Sequence, residues 1–449
     1  MNNRHLLDSF LKPDSVALIG VSQKTGKGTF NTLENLITFG YKGKIYPVNP
    51  NAGEILGLKV YKNVQALPKG LDLAIIMTPR DVVPEILVDC ADREMKGAII
   101  ITEGFGETDN RGNLLQGKID DTVVRKGIRV LGPNSVGVIN SFQNFSSAFI
   151  PLPKYLSPVA LVSQSGGFFE GFPDCPFGKG IDLGNTCDVN FIDAISYFEK
   201  DHDIRVIVLH MEGIEDVPGF ISACRQVVRS KPIIVIKGGR SESGGKAAAS
   251  HTGSLSGKDD LYSAMFRQSG ILHVNSITEI GDITRALLSL PPFTGNRIAV
   301  VTPTGAGGII SLDSIEKYGF KPAVISGETI DGIDHLFRPW TKVGNPFDIL
   351  SAGMAHGFKN VLTEVLESCL NDKNVDIVIT VCGAYTLKTI KKITARYPEK
   401  PVVAWVTGAD QLLITEKAKL YDFKPYYVSP DRALYAVKMV CEYYRQRLN

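Results

Sequence analysis

A chain of 449 residues exceeds what one hydrophobic core ordinarily serves and implies two to four domains. Its 44% hydrophobic and 21% charged residues are those of a water-soluble globular protein, and a net charge of +2 gives no electrostatic case for nucleic acid or a membrane surface. No apolar run reaches the about 18 residues that a membrane span needs, and no apolar signal core follows Met1–His5. The seven cysteines (Cys90, Cys175, Cys187, Cys224, Cys369, Cys382 and Cys441) are scattered and form no CxxC pair. They read as reduced cytoplasmic thiols rather than zinc ligands or a disulfide frame, so no metal site is expected.

Along the chain, three apolar runs each end in a glycine-bearing turn: Val16–Ser22, Val159–Gly167 and Ile298–Gly308. Each opens a block in which short Val/Ile-rich strands alternate with helical periods. The first block holds Lys44–Val48, Leu73–Met77, Gly97–Ile101 and Arg129–Leu131; the second Arg205–Leu209 and Pro232–Ile236; the third Asp376–Val381 and Pro401–Val406. Such near-continuous apolar runs are what a buried parallel sheet requires. The pattern predicts three α/β domains, residues 1–142, 143–291 and 296–449, with Pro291–Gly295 as a linker before the third.

In open parallel sheets, ligands bind beyond the carboxyl ends of the strands, where helix N-termini offer free N–H groups to anions. All three glycine turns fall at such positions and suggest phosphate or phosphoanhydride ligands. The first, Gly20–Gly28, departs from GxGxxG, and its second strand ends in Val48-Asn49-Pro50 without the acid that a nicotinamide ribose needs. NAD, and with it an oxidoreductase, is disfavoured. Lys42 and Lys44 suit an additional phosphate, such as the 3′-phosphate of coenzyme A.

The segment Gly238–Ser254 stands apart in composition: one histidine, His251, among glycine, alanine and serine. A strand leads into it, and a helix begins after it near Asp259. The composition predicts a loop that presents the His251 imidazole to a ligand. Gly239–Lys246 imitates a nucleotide-binding P-loop, but Ala247 stands where a magnesium-binding Ser or Thr belongs.

Taken together, Ser250-His251-Thr252-Gly253-Ser254, Lys44–Pro50, Ile101–Phe105, Leu131–Asn134, Val162–Gly166 and Asn345–Asp348 resemble the α subunits of ADP-forming acyl-CoA (acetyl-CoA) synthetases, relatives of succinyl-CoA synthetase. The resemblance covers nearly the whole chain. It implies a CoA-binding Rossmann-like domain followed by two succinyl-CoA-ligase-like flavodoxin domains. It also implies the interconversion of acyl-CoA, ADP and phosphate with free acid, ATP and CoA, through an acyl phosphate and a phosphorylated His251. In that reading Glu212 holds the other ring nitrogen of His251, and Ser165, Gly166, Gly167, Thr304, Gly305, Ala306, Gly307 and Gly308 bind phosphate. Coenzyme A is met by Gly20, Ser22, Gly26, Lys27, Lys44, Val48, Asn49, Pro50, Thr78, Pro79, Thr102, Glu103 and Asn134. ADP/ATP and Mg²⁺ would sit on a separate ATP-grasp β subunit in an α2β2 assembly, because the third domain closes the chain.

Two departures from the family pattern stand out. After Ser165-Gly166 the family has a long Ala-rich helix, whereas Gly167–Gly178 is short and interrupted by prolines. Pro303 replaces a polar residue before the third glycine turn. The alternative to an enzyme subunit is a non-catalytic CoA-binding or regulatory homologue. Retention of His251 and Glu212 argues against it. The aromatics Phe168, Phe169, Phe172 and Phe177 hint at an apolar or aromatic acid.

Overall fold

The computed structural model describes residues 5–26, 29–172, 174–246, 259–408 and 411–448, without the side chains of 411, 412 and 448. It divides into two compact units, Met1–Ile277 and Thr278–Asn449.

In the first unit, strands Ser15–Ile19 (β1), Lys44–Val48 (β2), Leu73–Ile76 (β3), Gly97–Ile100 (β4) and Arg129–Leu131 (β5) form an all-parallel sheet of order β2-β1-β3-β4-β5. A second sheet contains Val138–Asn140 (β6), Phe145–Ser146 (β7), Val159–Ser163 (β8), Lys179–Asp182 (β9), Val206–Met211 (β10), Ile233–Lys237 (β11) and Leu272–Val274 (β12). Its order is β12-β11-β10-β8-β9-β6-β7, parallel except where β6 meets β9 and β7. β6 lies inside the stretch read as the first domain, yet it pairs with the second sheet.

Alternation along the strands explains why these two sheets make one unit. Side chains of successive strand residues point to opposite faces. Val16, Leu18, Leu73, Ile75 and Ile99 join a core that runs on through Ala160, Val162, Ile207, Leu209, Ile233 and Val235 of the second sheet. Their neighbours Ala17, Ile19, Ala74, Ile76, Ala98 and Ile100 pack on the other face with Val83, Leu87 and Ile119. Each fully buried Val, Leu or Ile contributes roughly 1.5–3 kcal/mol, so the shared face is a large cohesive term.

In the second unit, Arg297–Thr302 (β13), Lys321–Pro322 (β14), Phe347–Asp348 (β15), Ile377–Cys382 (β16), Val402–Val406 (β17) and Tyr426–Tyr427 (β18) form another parallel sheet. The helix Ile277–Ser289 lies almost wholly in this unit. Its buried Asp282 takes hydrogen bonds from Arg285 and from Arg432 (2.6 and 2.8 Å), and the Tyr427 hydroxyl donates to the Asp282 carbonyl at 3.2 Å. That charge network fastens the helix to the C-terminal helix Pro430–Leu448.

β9 was not foreseen from the sequence. It opens on Lys179, which is fully buried, and its ammonium donates to Asp201 at 2.6 Å and Asp203 at 2.7 Å. Lys179→Ala leaves Asp201 buried without its cation and is expected to destabilise the chain by about 3–5 kcal/mol. Chemical denaturation checks this; a loss below about 1 kcal/mol would show that the pair does not hold β9.

Candidate functional site

The carboxyl ends of β1, β3, β4, β5, β8 and β9 surround a cleft of about 780 Å³. The order β2-β1-β3-β4-β5 reverses direction at β1/β3, the switch point at which such sheets bind ligands. There Gly20 has φ +86° and a Cβ on it would stand 2.8 Å from Thr78 Cγ2, so a residue with a side chain would both strain the backbone and block the approach. Strand-end hydrogen bonds set the rim: Thr102 Oγ1 donates to the Thr78 carbonyl (2.7 Å), and the Asn134 amide donates to the Thr102 carbonyl (2.9 Å). Thr78 Oγ1 is buried in this rim and has no hydrogen-bond partner among the described residues.

The structure brings Gly20, Ser22, Thr78, Pro79, Thr102, Glu103 and Asn134 into this cleft, together with Ser165, Gly166 and Gly167. Two groups of residues singled out separately in the sequence, one for coenzyme A and one for phosphate, therefore share one cavity. Val48, Asn49 and Pro50 lie at and just past the end of β2, where Asn49 Nδ2 donates to the Val21 carbonyl at 2.9 Å. Gly26 turns the first loop with φ +99°, its amide donating to Glu34 at 2.8 Å. Lys44 is not brought to this rim. It opens β2, four residues before Val48, and extended chain of that length spans about 13 Å, so Lys44 stands at the amino end of the sheet. Lys27 and His251 lie outside the described residues. Thr304–Gly308 belong to the second unit.

The turn at Ser165 is tight. Ser163 Oγ donates to the Ser165 carbonyl (2.8 Å) and accepts from the Ser165 amide (2.9 Å). Thr302 makes the same pair of bonds with Thr304, at 2.9 and 3.1 Å, and the helix Gly305–Lys317 begins there. The two turns are thus local copies, each built by a strand-terminal hydroxyl. Pro303 lies between these bonded residues, so its lack of a donor leaves the pair intact. Past the turns the two copies diverge: Gly166–Glu170 is a single 3₁₀ segment that stops at Gly171, φ +101°. A Cβ at Gly166 would lie 2.1 Å from Val136 Cγ2, so this position requires glycine. Phe169, Phe172 and Phe177 are buried core, and Phe168 packs on the His210 ring with centroids 4.2 Å apart. None of these four aromatics lines the cleft; the hint they gave of an apolar acid is therefore not supported by their positions.

Glu212 directly succeeds β10 and is buried. The Glu212 and Gly213 amides both donate to Gln164 Oε1, at 2.7 and 3.0 Å, while Lys237 Nζ donates to the Glu212 carbonyl at 2.8 Å. Burial pulls the Lys237 ammonium below its ordinary range, against the opposing pull of Glu212. The Gly238 backbone lies alongside: a Cβ there would be 3.5 Å from both Glu212 Cγ and His210 Nε2. The glycine-rich segment therefore leaves the sheet against Glu212. Two residues on, Arg240 forms a two-pronged pair with Asp259 (2.9 and 3.1 Å) and holds that carboxyl below the usual carboxylate range. Arg240 and Asp259 thus close the base of the segment that carries His251.

Sequence reading gave no role to Gln164, Arg240 or Asp182, whose carboxylate accepts from the Val136 amide at 2.6 Å in the cleft wall. The signal was a polar residue directly after an apolar strand, but its partner is fixed only by strand register. Among the described residues, no cluster of His, Cys, Asp or Glu could hold a metal ion, and no helix is long and apolar enough to cross a membrane.

Comparison with known proteins agrees with this geometry. Residues 14–141 match a CoA binding domain and residues 157–287 a succinyl-CoA ligase like flavodoxin domain. The α subunit of acetate–CoA ligase (ADP-forming) I from Pyrococcus furiosus is 35% identical over 96% of each chain. The corresponding II subunit alpha of the same organism is 37% identical over 84% of this chain and 82% of its own. Among solved structures, dinucleotide-forming acetyl-coenzyme A synthetase 1 of Ca. Korarchaeum cryptofilum, in complex with phosphate and ADP, superposes with a TM-score of 0.87 at 31% identity, covering 100% of this chain and 98% of that one.

Gln164→Leu would leave the Glu212 and Gly213 amides buried without an acceptor, at about 1–3 kcal/mol each. Hydrogen exchange should quicken at those two amides while β1–β5 stay protected. Unchanged protection at Glu212 would show that Gln164 does not hold that strand end.

Proposed function

The chain belongs to the family of ADP-forming acetate–CoA ligase α subunits, and on that basis we propose that it converts acyl-CoA and phosphate to free acid and CoA while handing a phosphoryl group, through His251, to ADP. The observation that carries this reading is the single cleft in which the first-sheet rim meets the Ser165–Gly167 turn. A thioester lying along the rim would present its carbonyl to a phosphate at that turn. The fit to coenzyme A rests on the bare backbone at Gly20 and on the unpartnered Thr78 hydroxyl.

These placements support the following chemistry. A phosphate oxygen attacks the thioester carbonyl; the C–S bond breaks, the sulfur leaves as CoA thiol, and acyl phosphate remains. A neutral imidazole nitrogen of His251 then attacks phosphorus, and the carboxylate of the free acid is the leaving group. Histidine suits this relay because its ordinary pKa, near ~6.5, leaves a nucleophilic nitrogen at neutral pH. Glu212, held by Gln164 and Lys237, accepts from the other ring N–H and stabilises the cation that forms. Backbone N–H groups of the Ser165–Gly167 turn oppose the charge on the transferring group. The Thr304–Gly308 turn, built in the same way, serves the same purpose at a later stage.

The final transfer, to ADP, is assigned to an ATP-grasp β subunit carrying Mg²⁺, in an α2β2 assembly. The naming of the Pyrococcus relatives as α subunits supports a companion chain. Seven scattered cysteines with no CxxC pair fit a cytoplasmic setting.

Incubation with ³²P-phosphate and a panel of acyl-CoA thioesters should give base-stable, acid-labile label on the chain, absent in His251→Ala. Glu212→Gln should slow labelling on the order of 10²–10⁴-fold without altering CoA affinity. Equal labelling of wild type and His251→Ala would overturn the reading.

A further inference from the structure

A second cavity, of about 480 Å³, adjoins the first and shares Gln164, Gly184 and Asn185 with it. That space could hold on the order of ten water molecules, far more than the methyl of an acetyl group needs. Asn185 stands on the shared wall. Its Nδ2 donates to the Glu107 carboxylate, which can only accept, so the amide orientation is fixed. Asn185 Oδ1 is buried and has no hydrogen-bond partner among the described residues. An acceptor in that position favours a ligand that brings a donor.

Charge narrows the choice. Among the described residues, the lining includes Asp188, Glu215 and Asp216 and no lysine or arginine. Asp188 is held by Arg129 Nε at 2.7 Å, and Arg129 also reaches Asp193 at 2.9 Å, so that cation is already shared. Two helices begin at this cavity, Phe191–Lys200 and Val217–Val227; the Asn190 side chain accepts from the Ile192 and Asp193 amides, and the Asp216 side chain from the Gly219 amide. These amides are already occupied, and a carboxylate on the far end of a ligand would meet like charge.

Resting on the reading of the adjoining cleft as the thioester site, we infer that this cavity receives the distal end of the acyl group, and that this end is a neutral hydroxyl rather than a methyl or a carboxylate. Asn185 Oδ1 accepts the hydroxyl proton, and Ile214 with Ile192 covers the intervening carbons.

Three stable thioethers of CoA test this on the full chain by calorimetric titration, with CoA itself as reference: S-butyl-, S-(4-hydroxybutyl)- and S-(3-carboxypropyl)-CoA. They carry the same four-carbon chain and differ only at its end. The hydroxyl compound should bind at least about fivefold tighter than the butyl, and the carboxylate at least about fivefold weaker, differences of about 1 kcal/mol each. Asn185→Leu should bring the hydroxybutyl-to-butyl ratio to about one, and Ile214→Trp, which fills the cavity, should weaken all three relative to CoA. If butyl equals hydroxybutyl, if the carboxylate binds tightest, or if both variants keep the wild-type ratios, the inference fails while the cleft reading stands. If CoA itself does not bind, the cleft reading fails and takes the inference with it.

Discussion

Two backbone amides, those of Glu212 and Gly213, are taken up by Gln164 Oε1, and the architecture around the cleft depends on that arrangement. A strand that ends in a buried position must find acceptors for its last N–H groups. The adjacent parallel strand supplies one through the side chain next after its own last residue. Because Gln164 leaves β8 toward β10, the next residues turn the other way into the cleft, where the Ser163 hydroxyl closes the turn at Ser165. One side-chain amide thus sets the place of the carboxylate and the direction of the anion-facing turn together.

Lys237 completes the arrangement from the opposite side by donating to the Glu212 carbonyl and stacking 4.6 Å from the Tyr262 ring. Glu212 is therefore located by its main chain, through neighbours on both flanking strands. The proposed role of Glu212, to orient an imidazole, calls for that fixity, since an error of an ångström at the carboxylate would be carried to the ring. The duplication of the Ser163/Ser165 turn at Thr302/Thr304 shows the same local solution serving both compact units, with the longer helix kept only in the second.

Much of this was legible in the sequence. The Val/Ile runs marked β1 to β5, β8, β10, β11, β13, β16 and β17, since strands buried on both faces need apolar side chains throughout. β9 escaped because its sequence, Lys-Gly-Ile-Asp, is apolar only at Ile181; its charges are satisfied by partners that sequence separation hides. Gly20 and Ser22 stood out because a glycine turn succeeds an apolar run, whereas Thr78, Pro79, Thr102, Glu103 and Asn134 came with the family resemblance. Lys44 was drawn in by its charge alone, and a charge pattern does not tell which end of a strand it marks. Gln164, Asn185 and Arg240 were passed over because their significance depends on register and on what stands opposite, which no local pattern encodes.

In the proposed relay through His251, the pair between Arg240 and Asp259 bears on how far a phosphoryl group could travel. His251 is eight residues from Asp259 along the chain, and eight residues fully extended span at most about 28 Å. With Asp259 anchored at the start of its helix, the His251 Cα is confined to a sphere of that radius, and its imidazole to one wider by a side-chain length. Donor and acceptor must both come inside it. On the proposed reading, a nucleotide site on a companion chain is constrained in position before that chain is seen.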